Sequence, residues 1–247
     1  MLQHIVGLQQ SQNLKTFKYF IIISGKMKYD LHNHTHYSPC SNLKPELLLK
    51  LVKKKGMNGI AVTDHHTIKG ALKVKKLNKN KDFEVIIGDE VTTNYGDVLT
   101  YYLQEEIKSR ELFSVVDEVK KQGGLIAIPH PFRTSINPTL KFRYPIEKIK
   151  DKIDAIECFN ARMLLPSDNK KAQELAKKLN IAGIGGSDAH FRLDIGRAYT
   201  IFEGDLRKAL KHNKTGYNGT ILFGPLSGTL SFLRKRIFIL TDKNIIQ

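Results

Sequence analysis

From position 27 onward, short apolar runs of β type alternate with longer charged stretches of helical period. The runs 28–31, 59–63, 84–87, 98–103, 125–128, 155–158 and 182–185 predict strands. In 44–55, Pro45 and Glu46 hold first-turn positions, and Leu47, Leu48, Leu51 and Val52 make one apolar face that Gly56 ends. In 111–122, Leu112, Val115, Val116 and Val119 repeat this design before Gly123 and Gly124. In 167–180, Ser167 is placed to cap a helix whose buried stripe is Ala172, Leu175, Ala176 and Leu179. Strands alternating with helices predict a parallel α/β architecture. Seven strands without a GxGxxG after the first favour a closed or nearly closed barrel over a dinucleotide-binding open sheet.

The 247 residues suffice for one large domain, and 41% hydrophobic with 26% charged residues is ordinary globular composition. The layout expected is a barrel over 27–204, preceded by a non-native or disordered extension over 1–26 and followed by a basic appendage over 205–247 packed on the barrel. Residues 1–26 lack acidic side chains and sustained helical period, and Met27 stands just before the first strand, as a natural start would. Forty Lys and Arg against 24 Asp and Glu give a formal charge of +16, which attracts anions or serves only to keep the surface solvated. The lysine-dense stretch 69–81 lacks the interleaved aromatics of a stacking platform and reads as a solvated helix face. Cys40 and Cys158 make no CxxC unit, so no disulfide framework is expected and a reducing, cytoplasmic compartment is the simplest assignment. No apolar run approaches the roughly 20 residues that cross a bilayer, so no membrane partner is expected.

Chemistry gathers where predicted strands end, which is where barrel enzymes place their sites. His32 and His34 are two apart, so their side chains leave one side of a strand. His65 follows the second strand, Glu90 the third, His130 stands between Pro129 and Pro131, and Asp188 and His190 follow the seventh. Each alone reads better as an ordinary polar group. Together they are seven imidazoles and carboxylates suited to zinc, manganese or iron, too many for one tetrahedral ion and enough for two or more.

The motifs DLHNHT with YSPCS (30–41), AVTDHHTIKG (61–70), IIGDEVT (86–92), AIPHPF (127–132) and GIGGSDAH (183–190) resemble the polymerase and histidinol phosphatase (PHP) superfamily. The resemblance implies a distorted seven-stranded (β/α)7 TIM-like barrel carrying up to three divalent ions (Zn2+, Mn2+ or Fe2+), with a short appendage after it. It places His32, His34, His65, Glu90, His130, Asp188 and His190 on metal-ligand positions. The chain departs from the family at two places: Pro39 and Cys40 stand where many members carry an aspartate, and 96–103 lacks a histidine that many carry. Cys40 and Asp97 are the candidate replacements at a third ion.

Three residues are expected to act beside the metals. Asp64 would orient a ligand histidine or a water, and Arg133 and Arg197 would grip a substrate phosphate. Arg162 is a weaker candidate for the same task, Glu157 beside Asn160 a supporting group, and His36 and His66 exposed neighbours. The implied function is hydrolysis of a phosphate ester by a metal-activated water, acting on a phosphorylated small molecule, a nucleotide or an oligonucleotide. The alternatives are a nuclease or nucleotide phosphatase acting on RNA or DNA ends, and a non-catalytic nucleic-acid-binding accessory barrel.

Overall fold

The structure is a computed structural model that describes residues 25–134, 141–221, 229–231 and 233–234. One sheet contains β1 (Lys26–Asp30), β2 (Gly59–Val62), β3 (Glu84–Thr93), β4 (Gly96–Tyr101), β5 (Leu125–Ile128), β6 (Ala155–Asn160), β7 (Ala182–Gly186), β8 (Ala198–Glu203) and β9 (Gly216–Gly219). Its order is β7-β6-β5-β4-β3-β2-β1-β8-β9. The helices are α1 (Pro45–Lys54), α2 (Lys69–Leu77), α3 (Leu112–Lys121), α4 (Pro166–Leu179) and α5 (Leu206–Lys211).

The seven predicted strands are all present, but the sheet differs from a simple (β/α)7 count in two ways. First, β3 runs on past Gly88 to Thr93 and turns straight back into β4, whose ladder with β3 and with β5 is antiparallel. Glu90 therefore lies within a strand and not after one. The turn at Asn94 and Tyr95, entered before Gly96 at φ 121°, leaves no room for a crossover helix. Second, β8 and β9 join antiparallel beyond β1. The expected appendage thus begins with α5 and a ninth strand of the same sheet. Residues 222–228, 232 and 235–247 of that appendage, and the expected extension 1–26 apart from Gly25 and Lys26, lie outside the described residues.

The sheet curls until its ends nearly meet. At the seam, hydroxyls replace part of a backbone ladder between β7 and β8. Thr200 Oγ1 donates to Gly185 O and accepts from Gly185 N, while Ser187 Oγ donates to Ala198 O and accepts from Ala198 N. Above the seam the chain beyond β1 meets the chain beyond β7, with His34 N donating to Ala189 O at 2.9 Å. Asp30, fully buried, ties the two segments further by accepting from Ser187 N and Gly196 N. This closure brings the first and last ligand motifs side by side.

The barrel interior is narrow because small residues line it. Ala61, Ala127, Ala155 and Ala182 pack there with Leu31, Ile86, Leu99, Tyr101 and Ile184. Outside, α1 and α2 cover β2 and β3 through Leu48, Val52, Ala71 and Val74, and α3 and α4 cover β5 and β6 through Val115, Val119, Ala172 and Ala176. The apolar stripes read from helical period are these buried faces. In α4 the cap differs from expectation. Leu165 is the N-cap without a side-chain bond, Pro166 opens the helix, and Ser167 lies inside the first turn. Among the described residues, no helix is long and apolar enough to cross a membrane.

Candidate metal centre

At the carboxyl ends of the parallel strands, all seven predicted ligands come together. His32 Nε2 and His34 Nε2 approach to 3.1 Å. Both face Glu90 Oε2, at 3.5 and 3.2 Å, and Asp188 Oδ1, at 3.6 and 3.4 Å. His65 Nδ1 reaches Glu90 Oε2 at 3.3 Å, and His130 Nε2 reaches Glu90 Oε1 at 3.3 Å. His190 Nδ1 lies 3.3 Å from Asp188 Oδ1. His65 is the most accessible of the seven, with its side chain 22% exposed, and the others are buried.

Local structure explains the convergence. Gly186 ends β7 where an added Cβ would lie 2.4 Å from His32 Cβ and 2.8 Å from Glu157 Oε1, so only glycine lets these two meet. His130 and Asp188 turn their side chains into the mouth from positive φ, 29° and 51°. Each such backbone costs on the order of 1–3 kcal/mol, a strain that packed surroundings sustain at functional sites.

The histidines are held by their far nitrogens. Glu157 Oε1 takes His32 Nδ1 at 3.0 Å, and Ser38 Oγ takes His34 Nδ1 at 3.3 Å, leaving each Nε2 to point inward. Glu157 is itself fixed by donation from His130 N and Asn160 Nδ2. Burial alone would push the His32 pKa down, but the carboxylates of Asp188, Glu157 and Glu90 outweigh it and raise it well above the usual value. Glu90 and Asp188 show the converse. Burial opposes their ionisation, yet His65 and His32 hold Glu90, and Arg162 and His32 hold Asp188, well below the carboxylate range. Burial and the Arg162 charge keep His190 neutral.

Such a set fits divalent cations. Its imidazole nitrogens and carboxylate oxygens converge, and six of its members, with Glu157 and Asp97 beside them, form groups whose ligand atoms lie within 4.8 Å of one another: His32, His34 and Glu90; His34, His65 and His190; His32, His130 and Glu157; Glu90, Asp97 and His130. Buried polar atoms without a hydrogen-bond partner, His130 Nδ1 and Asp97 Oδ1, belong to the same mouth. Cys40 reaches it too, with Sγ 3.1 Å from His190 Nε2.

The residues expected to act beside the metals are placed unevenly. Arg133 enters, with Nη1 3.6 Å from Asp188 Oδ2. Asp64 sits behind the ligand histidines. Its carboxylate accepts from Thr35 N, Thr35 Oγ1 and Ser38 Oγ, and so holds the turn that presents His34 and His65. Arg197 donates Nε to Leu193 O and lies beside Lys55. A second arginine inside the mouth is Arg162, 4% exposed, with Nη1 3.3 Å from Asp188 Oδ1 and 2.7 Å from His190 Nδ1. Ser231, from the C-terminal segment, accepts from Arg162 Nη2 at 2.9 Å, and Arg234 Nε donates to Ser41 O. No local sequence signal marks Ser231. As expected, His36 is exposed, where it stacks on Tyr37, whereas His66 is half-buried and donates its N–H to Asp89.

Residues 30–180 match the PHP domain, and residues 166–215 match the PHP-associated family that accompanies it. The chain belongs to the PHP family. The chain is similar to two Methanocaldococcus jannaschii proteins, the uncharacterized MJ1587 and MJ0417. MJ1587 is 39% identical over 147 residues, covering 55% of this chain and 82% of that protein. MJ0417 is 38% identical over 179 residues, covering 71% and 70%. Solved structures with the same fold include PsfC from Pseudomonas syringae, at TM-score 0.63 and 18% identity over 86% of this chain and 98% of that one. A Bifidobacterium adolescentis protein described as a candidate metal-dependent phosphoesterase has TM-score 0.55 and 15% identity over 66% and 88%. A Chromobacterium violaceum amidohydrolase, solved with bound sulfate and no metal, has TM-score 0.54 and 15% identity over 75% and 96%.

Proposed function

We propose that this PHP protein is a metal-dependent hydrolase that cleaves a phosphate ester at a site for two or more divalent cations. The observation that carries the reading is the meeting of five imidazoles around the carboxylates of Glu90 and Asp188 with a buried guanidinium, Arg162, at their edge. His32, His34, Glu90 and Asp188 would hold one cation, and His65, His130 and His190 extend the set to further ions. Cations bound there would supply Lewis-acid chemistry, polarising a phosphoryl oxygen and making a water acidic enough to attack.

The chain's own groups supply the rest. Arg162 and Arg133 flank Asp188 and offer planar N–H donors to a tetrahedral anion, a task that guanidinium geometry suits. Glu157 fixes the His32 ring by Nδ1, and Asp64 fixes the turn carrying His34 through Thr35 and Ser38. Tight packing of the mouth keeps bulk water from its charged groups, which strengthens their pull on a bound phosphate. The Bifidobacterium adolescentis description and the sulfate in the Chromobacterium violaceum structure accord with an anionic tetrahedral substrate.

A panel of phosphomonoesters, nucleotides and oligonucleotide ends, assayed on chelated protein with and without Mn2+ or Zn2+, tests this. Turnover that appears with metal and disappears in His130→Ala is expected. Metal-loaded protein that cleaves amides and leaves every phosphate ester intact would overturn the choice of substrate class.

A further inference from the structure

The β3–β4 hairpin carries a carboxylate outside the seven-ligand set. Its register pairs Glu90 with Leu99 and Thr92 with Asp97. Because side chains alternate along a strand, Glu90, Thr92, Asp97 and Leu99 share one face. Leu99 packs among the residues of the barrel interior, so that face is the inner one. Asp97 is therefore a diagonal neighbour of Glu90 inside the mouth, and it is 4% exposed.

Burial at that position needs an account. Thr92 hydrogen-bonds the Asp97 carboxyl, but Oδ1 has no hydrogen-bond partner. Its charged neighbours are Glu90, of like sign and the strongest influence among them, then His130, whose Nδ1 is also buried without a partner, and more weakly the Arg133 guanidinium. One ligand atom from each of Glu90, Asp97 and His130 lies within 4.8 Å of the other two. A cation between them would satisfy the orphaned oxygen and offset the repulsion between two carboxylates at once.

We propose that Asp97 ligates a divalent cation together with Glu90 and His130, standing in for the histidine that many PHP proteins carry on this strand. The inference rests on the mouth being a metal centre, as proposed above, and adds a ligand and a preference to it. Two carboxylates and one imidazole make a harder donor set than the three imidazoles of His34, His65 and His190. The Asp97 site accordingly favours Mn2+ or Fe2+, and the three-histidine group favours Zn2+.

The test is Mn2+ binding to the full chain, measured by metal analysis and by electron paramagnetic resonance, in wild type, Asp97→Asn and Asp97→His. Asp97→Asn keeps the volume of the side chain and removes its charge. It should weaken one Mn2+ equivalent by roughly 100-fold or more while the remaining metal stays bound. Asp97→His should restore that equivalent and shift it toward Zn2+. Melting of the chelated proteins separates ligation from a structural role, because Asp97→Asn should melt no lower than wild type without metal and should lose part of the rise that Mn2+ produces. Asp97→Asn binding Mn2+ with wild-type stoichiometry and affinity would overturn the proposal, as would a variant that is destabilised equally with and without metal. Wild-type protein that takes up no divalent cation at all would overturn the metal centre itself.

Discussion

Arg162 Nη1 lies 3.3 Å from Asp188 Oδ1, so a buried positive charge rests against a carboxylate that shares the mouth with five histidines. It holds Asp188 ionised despite full burial, while its Nη2 donates to Ser231 Oγ.

This relationship makes Arg162 the residue to alter first. Arg162→Met should leave the bound metal in place and lower kcat/KM on a phosphate ester by about 100-fold, roughly 2.7 kcal/mol of transition-state stabilisation. Steady-state kinetics with metal analysis on the same preparation checks it. Unchanged kcat/KM would remove Arg162 from substrate binding.

Asp64 should act through stability and not through chemistry alone. Its side chain accepts from Thr35 N at 2.6 Å, Thr35 Oγ1 at 2.6 Å and Ser38 Oγ at 2.7 Å, all buried. Asp64→Ala leaves those donors unmatched and should cost about 3 kcal/mol in urea unfolding. Gly70, in α2, faces the same carboxylate. A Cβ there would lie 1.9 Å from Asp64 Oδ2 and 2.4 Å from Thr35 Oγ1, so Gly70→Ala should cost on the order of 1–3 kcal/mol. The double variant should lose less than the sum, because removing the carboxylate makes room for the methyl group. Strict additivity would show that the two do not share this contact.

The strands were largely legible in the sequence because each is an apolar run between turn residues, and the donor set because each member sits where such a run stops. What escaped depended on who packs beside whom. The reversal of β4 follows from a tight turn at Asn94 and Tyr95, and no apolar period records the direction of a strand. β8 carries a readable alternation of buried and half-buried residues, AYTIFE, but β9 is the glycine-rich GYNG and exists by pairing with β8. Arg162 and Arg197 are alike as sequence, each just beyond a strand motif. Arg162 enters the mouth because β6 runs beside β7 and carries it toward Asp188. Asp97 becomes a neighbour of Glu90 through hairpin register alone.

Chelation should expose how far the fold depends on its ions. Cations bound at about 100 times their Kd contribute about 2.7 kcal/mol, so removing them should lower Tm by roughly 5–10 °C for a chain of this size. Differential scanning calorimetry before and after EDTA, and after Mn2+ is returned, measures the change. A melting curve indifferent to both steps would contradict a bound metal centre.

Cys158, packed in the core that α3 and α4 cover, offers a pH test. Burial pushes its thiol up from about 9 to about 12. The unfolded chain therefore loses this proton first as pH rises, so stability should fall across the interval from about 9 to about 12. The urea midpoint of wild type should drop more steeply over that interval than that of Cys158→Ala, and equal slopes would deny the shift. At pH 8 the native thiol should resist alkylation until the chain unfolds.

The central claim is that the converging donors form a multinuclear hydrolytic site, and a metal titration reaches it most directly. Chelated protein is supplied with Mn2+ in steps while bound metal and hydrolysis of the fastest phosphate ester are followed together. The account predicts a rate that stays near background through the first bound equivalent and reaches its plateau only when two or more are bound. A plateau reached with one equivalent, or a fully loaded protein with no turnover, would contradict it.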